Sequence, residues 1–248
     1  MTQPAIELLQ FPFSHYNEKV RWALDFKGIP HQRINYLPGP HVPQIRRLTG
    51  QNAVPVLRID GKVIAGSGRI IDELEQRYPE PPLYPRDRGD REQALSLQAR
   101  FDDDLGPATR RLIFDAALGE PAYVADMFST GHPQWKRTLY RAFSPLTAVL
   151  IRSGNGVDPA QVRKAESTVA STLDFLAERS AASGYLVGGE FTVADLTAAA
   201  LLGPIFDVSH PDMKKPRPMP RRAEELLARY VGHPAVSWAV EIYRKHRT

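Results

Sequence analysis

Along roughly the first eighty residues the hydrophobic positions switch between two periods. Ile6–Leu9 is a short apolar run, closed by Pro12, and reads as a strand. Tyr16–Lys27 sets Val20, Ala23, Leu24 and Phe26 between charged residues, a helical pattern that Gly28 ends. His31–Tyr36 reads as a second strand. Val56–Ile59 and Lys62–Ala65 flank Asp60-Gly61, the turn signal of a β-hairpin. Ser67–Tyr78 then places Ile70, Ile71 and Leu74 at helical spacing, with Ser67 at the N-cap. The order β-α-β, hairpin, helix predicts two parallel strands with a right-handed crossover. The hairpin adds antiparallel strands, which makes a mixed four-stranded sheet.

Pro79–Pro85 (PEPPLYP) is a boundary, because its prolines cannot sit inside a helix or a central strand. Beyond it strand signals nearly vanish. Arg88–Ala117 reads as one long helix bent at Gly106-Pro107. Tyr123–Arg152 reads as another, broken around Gly131-His132-Pro133. Pro159–Ser180 is amphipathic, with Val162, Val169, Leu173 and Leu176 on one face. Thr192–Leu202 is almost wholly apolar behind Thr192-x-x-Asp195, a close relative of the capping box. Ala223–Tyr230 and Pro234–Arg244 close the chain. The fold class is therefore α/β plus all-α, with a first domain over 1–82 and a helical domain over 88–248.

Composition narrows the chemistry. The 248 residues are 42% hydrophobic and 24% charged, ordinary for a globular chain, and none is cysteine. That excludes disulfides, any protein-thiol mechanism, and thiolate-bound zinc or iron–sulfur centres. The histidines are scattered and no phosphate-binding loop is present, so metal hydrolases and nucleotide enzymes have no support. The N-terminus lacks the features of a signal peptide and no apolar run approaches ~20 residues, so a cytoplasmic location is expected. The net charge is +4, and 211–222 (PDMKKPRPMPRR) holds five basic residues against Asp212. That loop carries the whole surplus. Without interleaved aromatics or a basic helix face it reads as a solvated proline-rich loop, with no nucleic-acid contact.

Several local patterns, in order, resemble the cytosolic glutathione transferase superfamily. Phe13-Ser-His-Tyr-Asn-Glu-Lys-Val20 is similar to the turn into its first helix, and Asn52-Ala-Val-Pro-Val-Leu57 to its segment with a cis proline. Gly66-Ser-Gly-Arg-Ile70 resembles a variant of its acidic-Ser-x-x-Ile motif. Phe191-Thr-Val-Ala-Asp195 and His233-Pro-Ala-Val-Ser-Trp238 are similar to its central and terminal helices. The resemblance covers the whole chain. It implies a thioredoxin-like N-terminal domain, a helical C-terminal domain and a homodimer without membrane or nucleic-acid partners. It also implies glutathione as co-substrate, a hydrophobic electrophilic small molecule as its acceptor, and no metal. Without a cysteine, Ser14 and Asn17 stand where thioredoxin-like proteins carry Cys-x-x-Cys, which excludes mixed-disulfide chemistry.

The resemblance makes Ser14 the catalytic residue and Val54, Pro55, Ser67, Gly66, Asn52 and His41 the glutathione-binding set. Ser14 lies between strand and helix, where free backbone N–H groups and the helix dipole favour an anion. A hydroxyl donated to a bound thiol there would stabilise the thiolate. The same residue type at that place is also an ordinary N-cap, and His15 and Tyr16 carry protons too. A cis bond before Pro55 would turn the Val54 N–H and C=O toward the cysteinyl part of glutathione; a trans proline opening an edge strand is the alternative. Ser67 would cap its helix and bind the γ-glutamyl carboxylate, or cap without a ligand. Gly66 departs from the family's acid. Asp103 or Asp104 of a partner subunit are the substitutes considered for the ligand's amino group. His41 reads more readily as a solvated loop residue. Phe13, Phe101, Arg110, Phe114 and Tyr123 are candidates to line an electrophile pocket. Two other readings stay open: a non-enzymatic binding module with this fold, and a glutathione-dependent peroxidase.

Overall fold

The structure, a computed structural model, describes residues 6–247. Strands β1 (Glu7–Gln10), β2 (Gln32–Asn35), β3 (Val56–Ile59) and β4 (Lys62–Ala65) form one sheet in the order β2-β1-β3-β4. β1 and β2 are parallel, with Leu8 opposite Arg33, and α1 (His15–Phe26) is their crossover. β3 runs antiparallel to β1, and β4 antiparallel to β3. Successive strand residues point to opposite faces. Leu8, Leu57 and Ile59 pack with Val20 of α1 and with Ile70 and Leu74 of α3 (Ser67–Arg77). Leu9, Val56 and Ala65 pack on the other face with Ile45 of α2 (Val42–Thr49).

The hydrophobic pattern does not predict α2. It buries only Ile45, and Pro43 looks like a breaker. In the first turn, however, a missing N–H is harmless, and Gly50 ends the helix at φ 75°.

Beyond the proline-rich connector the chain is helical. The expected long helix is α4 (Arg88–Arg100), a π-helical segment Phe101–Leu105, and α5 (Gly106–Ala117). The expected helix over 123–152 is three: α6 (Pro121–Ser129), α7 (Gln134–Ala142) and α8 (Ser144–Gly154). Its first break falls near Gly131, as read; the second coincides with Ser144-Pro145, where proline enters a first turn. α9 (Pro159–Ser180), α10 (Val193–Leu202), α11 (Arg221–Tyr230) and α12 (Pro234–His246) complete the bundle. Every residue of α10 is buried. Its capping box forms as expected: the Thr192 side chain accepts from Ala194 N–H, and Asp195 Oδ2 accepts from Thr192 N–H at 2.9 Å. Asp195 Oδ1 also accepts from Leu186 N–H at 2.8 Å, which ties the preceding loop to the helix. Among the described residues no helix is long and apolar enough to cross a membrane.

The 211–222 segment is only in part the solvated loop expected from its composition: Lys214, Arg217, Arg221 and Arg222 are exposed, but Met213 and Lys215 are buried. Its single acid, Asp212, is drawn inward by guanidiniums from distant parts of the chain. Asp212 Oδ2 lies 2.7 Å from Arg247 Nη2, and Oδ1 lies 2.7 Å from Arg33 Nη1. Glu18 of α1 joins the same network, at 2.8 Å from both Arg21 and Arg247. Burial alone would raise the Glu18 pKa, but Arg21 and Arg247 hold it below the usual range. This clamp docks the loop on α1 and buries Met213 and Lys215. Lys215 Nζ donates to the carbonyls of Gly203 at 2.8 Å and Phe206 at 2.5 Å.

Candidate functional site

A cleft of about 680 Å³ opens between the sheet's connecting loops and the helices α5, α6 and α8. Ser14, His41, Asn52 and Val54 all line it. Ser14 holds the N-cap position of α1 with extended backbone (φ −110°, ψ 125°), and its carbonyl accepts from Glu18 N–H at 2.8 Å. Its side chain makes no cap hydrogen bond. The hydroxyl therefore stands at a helix N-terminus without the duty that usually puts serine there.

The neighbouring protons are committed elsewhere. The Tyr16 hydroxyl donates to the Asp102 carbonyl at 2.6 Å. Burial pushes its pKa well up; nearby Arg110 acts against that. A Cβ on Gly106 would collide with this phenol, so the glycine is what admits it. His15 Nε2 lies 2.9 Å from the Gly106 carbonyl, to which it donates. Burial first, and then the Arg110 charge, lowers the His15 pKa from 6.5 to about 3. The imidazole is neutral.

His41 is buried, not solvated. Its Nδ1 accepts from Gly39 N–H at 3.1 Å, so Nε2 carries the hydrogen and donates to the Asn52 carbonyl at 2.8 Å. The ring thus ties two cleft loops together, packed edge-on against Phe11 at 4.7 Å.

The Val54-Pro55 bond is cis. β3 begins at Val56, so the Val54 backbone lies ahead of the ladder, at the cleft edge. Pro55, Gly66 and Ser67 do not line the cleft itself. They adjoin its Val54 edge, because Gly66 N–H donates to the Pro55 carbonyl at 3.1 Å.

Ser67 is not the N-cap of α3. Gly66 takes that position with φ 98°, its carbonyl accepts from Ile70 N–H at 3.0 Å, and Ser67 becomes the first helical residue. Positive φ suits glycine and strains other residues, which gives a backbone reason for glycine here. The Arg69 guanidinium also lies beside it, 3.7 Å from where a Cβ would stand. Asp103 and Asp104 are exposed on the π-helical segment.

Of the pocket candidates, Phe13, Arg110 and Phe114 line the cleft. Phe101 is buried in the core near Phe175 instead, and the Tyr123 hydroxyl donates to the Pro216 carbonyl at 3.2 Å. Helical spacing marks a face as buried without saying against what. Sequence reasoning missed Phe11, Phe128, Ile151 and Lys215. Phe11 had a signal, since it flanks Pro12 beside the Ser14 turn; Lys215 had none, because only the Asp212 clamp brings it there.

The family model described as glutathione S-transferase, N-terminal domain, matches residues 8–82, and its C-terminal domain model matches residues 159–236. A maleylpyruvate isomerase of a Ralstonia species is 31% identical over 113 residues, 44% of this chain and 53% of the relative. Glutathione S-transferase 1 of Dianthus caryophyllus is 37% identical over 97 residues, 38% of this chain and 43% of the relative. The chain spans about half the length of the curated relatives it matches. The fold extends further. A glutathione S-transferase of Methylobacillus flagellatus, solved with glutathione bound, superposes with a TM-score of 0.61 at 17% identity, over 97% of this chain and 95% of that one. With the mixed sheet, the cis Val54-Pro55 edge and both domain models in agreement, the chain belongs to the glutathione S-transferase family.

Proposed function

We propose that this protein binds glutathione along the cleft edge, holds its sulfur as thiolate with Ser14, and adds it to an apolar electrophile. The observation that carries this reading is the Ser14 hydroxyl, free of cap bonding, at the α1 N-terminus in the cleft wall. A helix N-terminus favours an anion, and a donated hydroxyl favours the thiolate over the thiol. Ser14 serves as donor rather than Tyr16, whose proton goes to Asp102. The Val54 backbone would pair with the cysteinyl part, as an added strand does. The first N–H groups of α3, with Ser67 and nearby Arg69, would receive the γ-glutamyl carboxylate. His41 and Asn52 would flank the glycyl end. Glutathione binding would thus fall to residues 1–82, and the acceptor would meet 88–248. The reading takes a cytoplasmic homodimer, in which exposed Asp103 or Asp104 of a second copy would serve the ligand's ammonium. Conjugation and glutathione-assisted isomerisation share this first step, so relatives named for either fit it.

Gly66 supports a second reading, a binding module that keeps the fold without the chemistry, since the family's usual acid before Ser67, a charge-assisted partner for the ammonium, is then missing. Calorimetry with glutathione, followed by turnover of a chlorinated aromatic, separates the two. Binding and turnover are expected. No binding at millimolar glutathione would sink the transferase reading, and binding without turnover would leave the module.

A further inference from the structure

Most cations buried in this protein face a carboxylate. Lys19 pairs with Asp102, Arg21 with Glu18, Lys27 with Glu75, and Arg247 with Glu18 and Asp212. The cleft departs from that rule. Arg110 of α5 lines it, and Arg110 Nε is buried without a hydrogen-bond partner. Its guanidinium lies over the Tyr16 ring, 5.8 Å from the centroid. The groups that act on its charge are Tyr16 and Arg111, and no acid stands among them. Its field reaches the Ser14 turn, because it helps to keep His15 neutral.

Lys215 lines the same cleft from the docked loop. Two of its three donors go to the Gly203 and Phe206 carbonyls, which leaves one. Among the described residues lining the cleft there is no aspartate or glutamate. The wall around the two cations is apolar, with Phe13, Ile113, Phe114, Phe128 and Ile151.

Arg110 is half-buried, and its buried, unbonded Nε carries a desolvation cost that an acceptor on a ligand would offset. Its fork matches a carboxylate in two parallel bonds, and the apolar wall suits a hydrocarbon body. We propose that the electrophile this cleft takes is an anion, an apolar acid whose carboxylate pairs with Arg110, with Lys215 as the second positive group. This rests on the transferase reading for the word electrophile, and on the cleft alone for the anion.

The test is equilibrium binding of cinnamate and of cinnamamide, its neutral counterpart, to the full chain without glutathione. Cinnamate is expected to bind about tenfold or more tightly, as a charge-assisted bidentate contact requires. Arg110→Gln should bring the ratio to about one, Arg110→Lys should restore part of it, and Lys215→Met should lower it less. Circular dichroism checks that each variant folds. Equal binding of the two probes by the wild type, binding of neither, or a preference that survives in Arg110→Gln would overturn the proposal. Should Arg110→Gln not fold, the wild-type ratio and the Arg110→Lys variant decide. Neither probe needs a thiol, so this outcome is independent of glutathione chemistry. Conversely, turnover of neutral electrophiles with no preference for acids would keep the transferase reading and remove this one.

Discussion

His15 opens α1 and is buried against the Gly106 carbonyl, which gives stability a specific dependence on pH. Its pKa falls from 6.5 to about 3 through burial, with Arg110 adding to the effect and the Gly106 hydrogen bond opposing it. The unfolded chain takes up a proton at this residue below pH 6.5, while the folded chain does not until about 3. The stabilisation is therefore complete above pH 6.5 and declines below it by ~1.4 kcal/mol per pH unit. At about pH 5 the loss amounts to ~2 kcal/mol. Asp195 works in the opposite sense. Burial raises its pKa from 3.8 to about 6, so the folded form protonates first as pH falls through that window. Between about pH 6 and 4 the two contributions nearly cancel, and a wild-type curve alone would hide both. The variant His15→Gln separates them, since its amide can still donate to the Gly106 carbonyl but does not titrate. Urea unfolding of both proteins at about pH 7.5 and about pH 5 gives the comparison. The deficit of the variant should shrink by ~2 kcal/mol on going to the lower pH. A deficit that stays constant would show that the imidazole is not held neutral and that the start of α1 is not dry.

Ser14→Ala should leave unfolding free energy within ~0.5 kcal/mol of wild type, because no cap bond is lost. Turnover should fall about a hundredfold, as when an anion-stabilising donor is removed, and the ultraviolet signal of bound thiolate should appear only at higher pH. A loss of ~1 kcal/mol with turnover unchanged would instead make Ser14 a cap. Asp195→Ala orphans the Leu186 N–H and the Thr192 N–H and hydroxyl, all buried, and should cost ~3–5 kcal/mol in urea unfolding. The glutathione affinity of the protein that remains folded should be unchanged, measured by calorimetry. Gly66→Glu restores the family's usual charge type at a backbone with φ 98°, and should destabilise by ~1–3 kcal/mol. Calorimetry should find no gain in glutathione affinity, and a tenfold gain would show that charge rather than backbone conformation governs this position.

The parts of the fold that were legible in the sequence are those fixed by a residue and its near neighbours. Asp60-Gly61 announced the hairpin, and both residues adopt the positive φ, 48° and 76°, that such a two-residue turn needs. Thr192 and Asp195 announced α10 because a capping box closes within four residues. What depended on distant partners was not legible. Asp212 looked like a minority charge in a basic loop until Arg33 and Arg247 reached it. His41 looked like a loop side chain until Gly39 and Asn52 took both of its nitrogens. The candidate site divides along the same line. Ser14 and the Val54-Pro55 edge are read from local motifs, whereas Phe101 and Tyr123 are only candidates for the lining, with no motif behind them, and neither lines the cleft.

Arg110 and Arg111 make the division sharpest. They are adjacent, chemically identical, and on the same helix; the sequence reading names Arg110 as a pocket candidate, but no composition or spacing argument says that it lacks a partner there. One step along a helix turns a side chain by roughly 100°. That step takes Arg111 to the Gly156 carbonyl, where its Nε donates at 2.9 Å, and leaves the Nε of Arg110 buried and unpartnered at the cleft. A residue whose role comes from lacking a partner carries no local signature, because the lack is a property of everything packed around it. The motifs of this chain therefore locate where glutathione would lie. On the proposal above, its selectivity for a second substrate would be set by a charge that only the folded arrangement of α1, α5 and the docked 211–215 segment leaves without a carboxylate partner.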